Sequence, residues 1–311
     1  MDPAVAAPRY PAYVALSESG ELAHRAQALY RIFRECRLCP RQCGVDRTRG
    51  ETGVCGSTSR VGVASYHPHF GEERPLVGRG GSGTIFFSRC NLLCVYCQNW
   101  QISHGGEGFF LSDEALGRLM LALEDMGCHN VNLVTPTHYV PNIVQALRHA
   151  AGRGLRIPLV YNCSGYEPLE VLRLLDGIVD IYLADFKYTD GAMAARYSSD
   201  AADYPAVAQA ALIEMHRQVG SLVTDGHGVA LRGLMIRHLV LPEDIAGTRA
   251  FVRFVAEELG PATYVNVMSQ YRPEYQAARD PQLARRITRA EYQRAVEWAR
   301  EAGLTRLDLQ G

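Results

Sequence analysis

GTIFFSRCNLLCVYCQNW, residues 83–100, begins as an apolar β-branched and aromatic run and passes directly into three cysteines, Cys90, Cys94 and Cys97, within eight residues. A short apolar run bounded by glycine reads as a strand, here TIFFS over 84–88. The three thiols then fall on the loop that leaves it. Thiolates are soft ligands suited to zinc or to iron–sulfur clusters. Three of them cannot close a four-ligand site, so a centre bound here keeps one position open for chemistry.

Outward from this stretch the chain repeats one unit: a short apolar run, a polar or glycine-containing turn, then a helical period. Candidate strands are TIFFS (84–88), VNLV (131–134), PLVYN (158–162), IVDIYLADF (178–186), LMIRHLVL (234–241) and YVNVM (264–268), with LTRLDLQ as a possible final strand. Between them, DEALGRLMLALEDMG follows Ser112 with acids in its first turn, and VPNIVQALRHAAGRG and DYPAVAQAALIEMHRQVG carry apolar residues at three- and four-residue spacing. Thr288-Arg-Ala-Glu291 has the form of a capping box. Six strands, each followed by a helix, imply a parallel sheet with right-handed crossovers, too few for an eight-unit barrel. The fold class expected is α/β, a partial (β/α)6 barrel over 81–311, preceded over 1–80 by an N-terminal helix and a cysteine-rich metal-binding segment. In such folds the chemistry sits at the C-terminal ends of the strands.

Composition sets the surroundings. The 311 residues, 47% hydrophobic and 21% charged, suffice for a sizeable core. Thirty-two basic against 33 acidic residues give a net charge of -1, without the electrostatic footprint of a nucleic-acid binder. The opening MDPAVAAPRYPAYVALSESG lacks the basic start and apolar run of a signal peptide, and no stretch reaches the ~20 apolar residues of a membrane span. A cytoplasmic protein is expected, in which nine cysteines stay reduced and serve metal binding or catalysis.

Four of the nine form a second set, Cys36-x2-Cys39-x3-Cys43-x11-Cys55, with glycine after Cys43 and Cys55 permitting tight turns. The count suits closed tetrahedral coordination, and both a four-thiolate zinc site and an auxiliary 4Fe–4S cluster satisfy it. Cys128, ahead of the second strand, reads as structural. Cys163 is either a buried small hydrophobe or a hydrogen-atom donor, and strict strand alternation aims it away from the face of Asn162.

Cys90-x3-Cys94-x2-Cys97, with the aromatic Tyr96 before the last cysteine, resembles the motif of the radical S-adenosylmethionine (SAM) enzymes. That resemblance implies a 4Fe–4S cluster on the three thiolates, SAM on the open iron, and reductive cleavage to a 5′-deoxyadenosyl radical that abstracts hydrogen. Residues 80 to 275 look closest to the branch of the pyruvate formate-lyase activating enzymes. Their Gly-Gly-Glu turn after the second strand is replaced by Thr135-Pro136-Thr137-His138, which implies that backbone carbonyls and the hydroxyls of Thr135 and Thr137 take over its contacts with the cofactor. Their Asp-Thr-Asn-Gly turn is matched by Asn162-Cys163-Ser164-Gly165, placing Asn162 and Ser164 near the cofactor with one formal charge fewer. Asp185-Phe186-Lys187 matches their Asp-x-Lys, and Arg237 is similar to an arginine that meets the same cofactor. Each has a plainer reading: Asp185 and Lys187 as an exposed ion pair, Arg237 and His238 as a solvated strand end, Asn162 and Ser164 as turn formers. Tyr271 and Arg272 are candidates for the substrate side of the mouth. No catalytic hydrogen donor is assigned.

The resemblance also implies an electron donor such as flavodoxin or ferredoxin. Three functions stay open: an activase that installs a glycyl radical on a partner enzyme, a radical enzyme acting directly on a small molecule or sugar, for example as an epimerase, and a non-enzymatic metal-binding adaptor built on the four-cysteine set.

Overall fold

The computed structural model describes residues 11–310. Its strands are β1 (Val61–His69), β2 (Ser82–Phe87), β3 (Phe109–Leu111), β4 (Val131–Val134), β5 (Leu159–Cys163), β6 (Ile181–Asp185), β7 (Val223–Thr224), β8 (Ala230–Leu239), β9 (Tyr264–Met268) and β10 (Arg306–Gln310). The main path runs β10-β9-β8-β6-β5-β4-β2-β1-β3, with β7 paired to β8 off it. From β2 to β10 every pairing on that path is parallel, whereas β1 joins β2, and β3 joins β1, antiparallel. The path does not close, so the chain forms an open, partial α/β barrel.

All six expected strands are present. LTRLDLQ adds a seventh parallel strand, β10, whose register sets Arg306 beside Tyr264 and Leu309 beside Val267. RVGVASYHPHF, which is not among the candidate strands, contains the long strand β1. Its proline sits at Pro68 on the ladder to β2, near the strand end where a missing donor costs least. The helices fall where periodicity placed them, at Asp113–Asp125, Val140–Ala151, Tyr204–Val219 and Arg289–Glu301. Ser112 Oγ accepts the Ala115 N–H at 3.2 Å, and Thr288 and Glu291 cap each other reciprocally.

One core cluster runs from Tyr13 to Leu304 and includes Leu38, Leu92, Tyr139, Tyr166 and Tyr204, so the N-terminal segment packs against the barrel. A buried arginine fastens it. Arg47, 1% exposed, donates to the His138 carbonyl at 2.7 Å and to the Thr58 carbonyl at 3.2 and 2.5 Å. Its guanidinium lies 4.5 Å from the Phe33 ring centroid and 5.8 Å from that of Tyr139.

The connection from β1 to β2 enters the barrel. Leu76 packs in a second apolar cluster with Val160, Ile181, Leu183 and Met235. The buried Glu73 accepts from Asn266 Nδ2 on β9 at 2.9 Å. Glu72 reaches to 3.6 Å from Arg237 on β8. Burial, reinforced by Glu73 and opposed by Arg237, raises the Glu72 carboxyl to about 7.

Candidate active site

The C-terminal ends of β2, β4, β5, β6, β8 and β9 surround one cavity of about 250 Å³ that opens to solvent. Cys90, Cys94 and Cys97 form one wall, and Thr135, Asn162, Ser164, Asp185, Lys187 and Arg237 are also on its lining. Residues at the ends of four other strands, β4, β5, β6 and β8, therefore converge with the three thiols.

The cysteine loop is shaped by its backbone. Arg89 and Leu93 hold φ of 76° and 51°, a left-handed conformation that side chains disfavour and that surrounding contacts must enforce. Arg89 is enforced at both ends: its N–H bonds the Ile102 carbonyl at 2.8 Å and its guanidinium bonds the His104 carbonyl at 3.0 Å. Each thiol has a polar neighbour. The Leu92 N–H donates to Cys90 Sγ at 3.4 Å, Ser198 Oγ donates to Cys94 Sγ at 3.1 Å, and Cys97 Sγ lies 3.1 Å from Ser103 Oγ. Burial, then the adjacent Cys94, pushes the Cys90 thiol up to about 12.

Opposite the thiols the charged groups form one network. Asp185 Oδ2 lies 2.7 Å from Lys187 Nζ, and Asp185 Oδ1 accepts from Arg237 Nε at 2.8 Å. Arg237 Nη2 donates to Asn162 Oδ1 at 2.5 Å. Burial alone would raise the Asp185 carboxyl, but Arg237 and then Lys187 outweigh it and hold it below the usual range. Against the pull of burial, Asp185 and then Cys94 hold Lys187 above the ordinary lysine value. The ion pair read from the sequence exists, but it is only 16–19% exposed and sits in the cavity wall, not on the outer surface.

At the end of β4, Thr135 adopts φ 59° while its N–H bonds the Asn162 carbonyl at 2.9 Å. Ser164 Oγ is buried without a hydrogen-bond partner beside the same cavity. Thr137 is a correction: it is fully buried and donates to Glu167 Oε1 at 2.5 Å, so its hydroxyl is not offered to a ligand. Pro136 stands at the start of a 3-10 turn over 137–139 whose three residues are all buried. Cys163 borders the cavity, but Glu167, which bonds it, also accepts from Tyr161, the strand neighbour on the same face. Alternation thus points the thiol to the helix side. Tyr271 is buried, donating to the Leu283 carbonyl at 2.8 Å, with its ring 6.0 Å from Tyr96, and Arg272 is exposed; neither lines the cavity. His238 is a core residue, bonded to the Phe186 carbonyl at 2.7 Å and to Thr248 Oγ1 at 3.0 Å.

Several residues at or behind the cavity wall escaped sequence reading. Gln98, Asn99 and Gln270 border the mouth, and Ser103 and Ser198 touch the thiols. Ser103 lies close enough to Cys97 in sequence to be suspected; Ser198, a hundred residues from Cys94, carries no such signal.

Cys36, Cys39, Cys43 and Cys55 occupy one compact fold of chain. The Cys36 N–H bonds the Val45 carbonyl at 3.0 Å and the Gly44 N–H bonds the Cys36 carbonyl at 3.1 Å. Gly44 and Gly56 take positive φ of 68° and 67° after their cysteines, as the turns anticipated. A Cβ on Gly53 would stand 2.5 Å from Cys43 Sγ. Burial chiefly, with Cys55, Cys36 and Cys43 adding, raises the Cys39 thiol, so the other three lie within electrostatic reach of it. Among the described residues, no three His, Cys, Asp or Glu side chains already surround a single ion position; both cysteine sets share a neighbourhood rather than a point.

The cavity fits the group that its residue pattern implies. Three thiols on one loop supply a three-ligand soft donor set with one position left open. The facing wall supplies fixed cations and a carboxylate for a charged amino acid moiety. Among the described residues no helix is long and apolar enough to cross a membrane.

Comparison with known proteins agrees. The family model of the radical SAM superfamily matches residues 84–191, which span β2, the cysteine loop, β4, β5, β6 and the Asp185-x-Lys187 turn. The uncharacterized protein MJ0674 of Methanocaldococcus jannaschii is 32% identical over 289 residues, 88% of this chain and 76% of that protein. With a matching motif, a partial barrel and a charged network in the same cavity as the three thiols, the chain belongs to the radical SAM superfamily.

Proposed function

We propose that the protein reductively cleaves SAM to abstract hydrogen from a glycyl radical enzyme, acting as its activase. When bound, a 4Fe–4S cluster and SAM supply a 5′-deoxyadenosyl radical. The chain's residues do the rest. Cys90, Cys94 and Cys97 hold the cluster, while Arg237 and Lys187 attract the carboxylate of the cofactor and Asp185 fixes both cations. Asn162, Ser164 and the backbone of Thr135 complete the polar wall. The observation carrying the radical chemistry is that the three thiols and the Asp185–Lys187–Arg237 network face one cavity. The activase assignment draws on the resemblance of Asp185-Phe186-Lys187 and the neighbouring turns to that branch.

A second reading, direct action on a small molecule or sugar, is favoured by the barrel plug and the mouth. Glu73 and Leu76 occupy the barrel beneath the cavity. A substrate then reaches the site through an entrance where Gln98, Asn99 and Gln270 present amides suited to hydroxyl groups.

Cys36, Cys39, Cys43 and Cys55 are proposed to hold a second thiolate-bound metal, zinc or a 4Fe–4S cluster, as their count and fixed turns support. A flavodoxin or ferredoxin in the cytoplasm would supply the electron. The test of the main reading is anaerobic reconstitution with reductant and SAM. Release of 5′-deoxyadenosine by the protein alone supports radical generation, and a glycyl spin signal appearing on an added glycyl radical enzyme supports the activase reading. Deoxyadenosine release without a glycyl signal on any such partner removes the activase reading and keeps radical generation.

A further inference from the structure

Arg41 joins the two cysteine sets. It lies inside the Cys39-x3-Cys43 turn, but its guanidinium leaves that turn for the cluster loop. Nε donates to the carbonyl of Asn91, between Cys90 and Cys94, at 3.1 Å. Nη2 donates to the Ser198 carbonyl at 2.9 Å, and Nη1 to the carbonyl of Ser199. The guanidinium also stands 5.4 Å from the centroid of Tyr166, whose carbonyl accepts from Asn91 Nδ2 at 3.1 Å.

Ser198 is where this contact reaches the chemistry. Its hydroxyl donates to Cys94 Sγ at 3.1 Å and lies 3.0 Å from the Tyr188 hydroxyl. The next two residues, Ser199 and Asp200, have φ of 49° and 56°. Two consecutive left-handed residues bearing side chains form a costly turn, which persists only where neighbours over-determine it. Arg41 supplies two of the contacts that do so. Without them the turn is free to relax, and the serine hydroxyl loses its aim at Cys94.

We propose that Arg41 is a positioning residue through which the four-cysteine segment sets the Ser198 hydrogen bond to Cys94, and with it the reduction potential of the cluster. The proposal rests on the reading that Cys90, Cys94 and Cys97 hold a 4Fe–4S cluster, and its last arm on the reading that the four-cysteine set holds a metal. The sign follows from electrostatics. A hydrogen bond to a cluster sulfur stabilises the more negative, reduced form, so it raises the potential. A metal on Cys39 and Cys43 would fix both ends of the turn that presents Arg41, making the guanidinium preorganised rather than mobile.

The experiment is a spin-resonance redox titration of the reconstituted full-length protein. Ser198→Ala and Arg41→Ala should each lower the reduced-to-oxidised ratio at fixed potential about tenfold, or about 59 mV for a one-electron couple. The double variant should fall no further than the larger single one, because both act on the same hydrogen bond. Ser198→Thr, which keeps the hydroxyl, should stay at the wild-type potential. Cys39→Ser, scored for loss of its own metal by elemental analysis, should shift the potential as Arg41→Ala does. Full cluster content at wild-type potential in Arg41→Ala overturns the proposal, as does additivity of the two alanine variants. A metal lost from Cys39→Ser without a shift overturns the link to the four-cysteine set. A wild type carrying no iron on the three thiols overturns both this proposal and the cluster reading, and shows before any variant is compared.

Discussion

Asp185 lies between two cations, 2.7 Å from Lys187 Nζ through one carboxylate oxygen and 2.8 Å from Arg237 Nε through the other. The carboxylate therefore orients two of the positive groups that line the cavity. Asp185→Ala should leave the cluster in place, since no thiol is touched. SAM binding should weaken by tenfold or more, because charge-assisted contacts of this kind contribute on the order of 1.5–3 kcal/mol. Titration of SAM into wild-type and variant protein checks this; equal affinity would make the network structural only.

Glu167 gives a pH dependence. Its carboxyl is raised by burial to about 8, against the lowering effect of hydrogen bonds from Thr137, Tyr161 and Cys163. A carboxyl raised in the folded state contributes stability that is fully present below its unfolded value, near 4.5, and lost as pH rises through 8. Wild type should lose stability across that window, at on the order of 1.4 kcal/mol per pH unit at the steepest. Glu167→Gln should flatten the slope. Urea unfolding midpoints at several pH values in that interval decide; parallel curves would place the ionised form in the fold.

Arg47 tests how the N-terminal segment is held. Arg47→Met keeps much of the apolar stem but leaves the His138 and Thr58 carbonyls without their charged donor. A loss on the order of 3 kcal/mol is expected, read as a lower urea midpoint at unchanged slope. A change under about 0.5 kcal/mol would show that the carbonyls find other partners.

Gly53 tests the four-cysteine set. Gly53→Ala drives a methyl group to 2.5 Å from Cys43 Sγ, whereas a Cβ on Gly226 meets nothing within 4 Å. Metal analysis of these two changes, each in a protein that also carries Ala at Cys90, Cys94 and Cys97, should show metal lost with the first and kept with the second. Equal metal in both would remove Cys43 from the ligand set.

What the sequence made legible follows from periodicity and from local spacing. The six parallel strands, the capping box at Thr288 and the placement of Cys90, Cys94, Cys97, Asp185 and Arg237 at strand ends all depend on patterns within a dozen residues. β1 was missed because glycine, proline and paired histidines outweigh its valines locally, while its ladder to β2 is a tertiary fact. Thr137 was misplaced by one turn of chain, since only the direction taken after Pro136 decides whether its hydroxyl meets the cavity or Glu167. The grip of Arg41 on Asn91 and Ser198 spans 50 and 157 residues. No local signal carries such a contact.

Everything proposed for this site depends on Cys90, Cys94 and Cys97 holding a cluster whose open position takes SAM. The most direct measurement is the spin signal of anaerobically reconstituted, reduced protein before and after adding SAM, in wild type and with all three cysteines changed to Ala. Wild type should show a signal that changes on SAM addition, and the triple variant no SAM-responsive signal even if the four-cysteine set still carries metal. A SAM-induced change that survives in the triple variant would contradict that assignment.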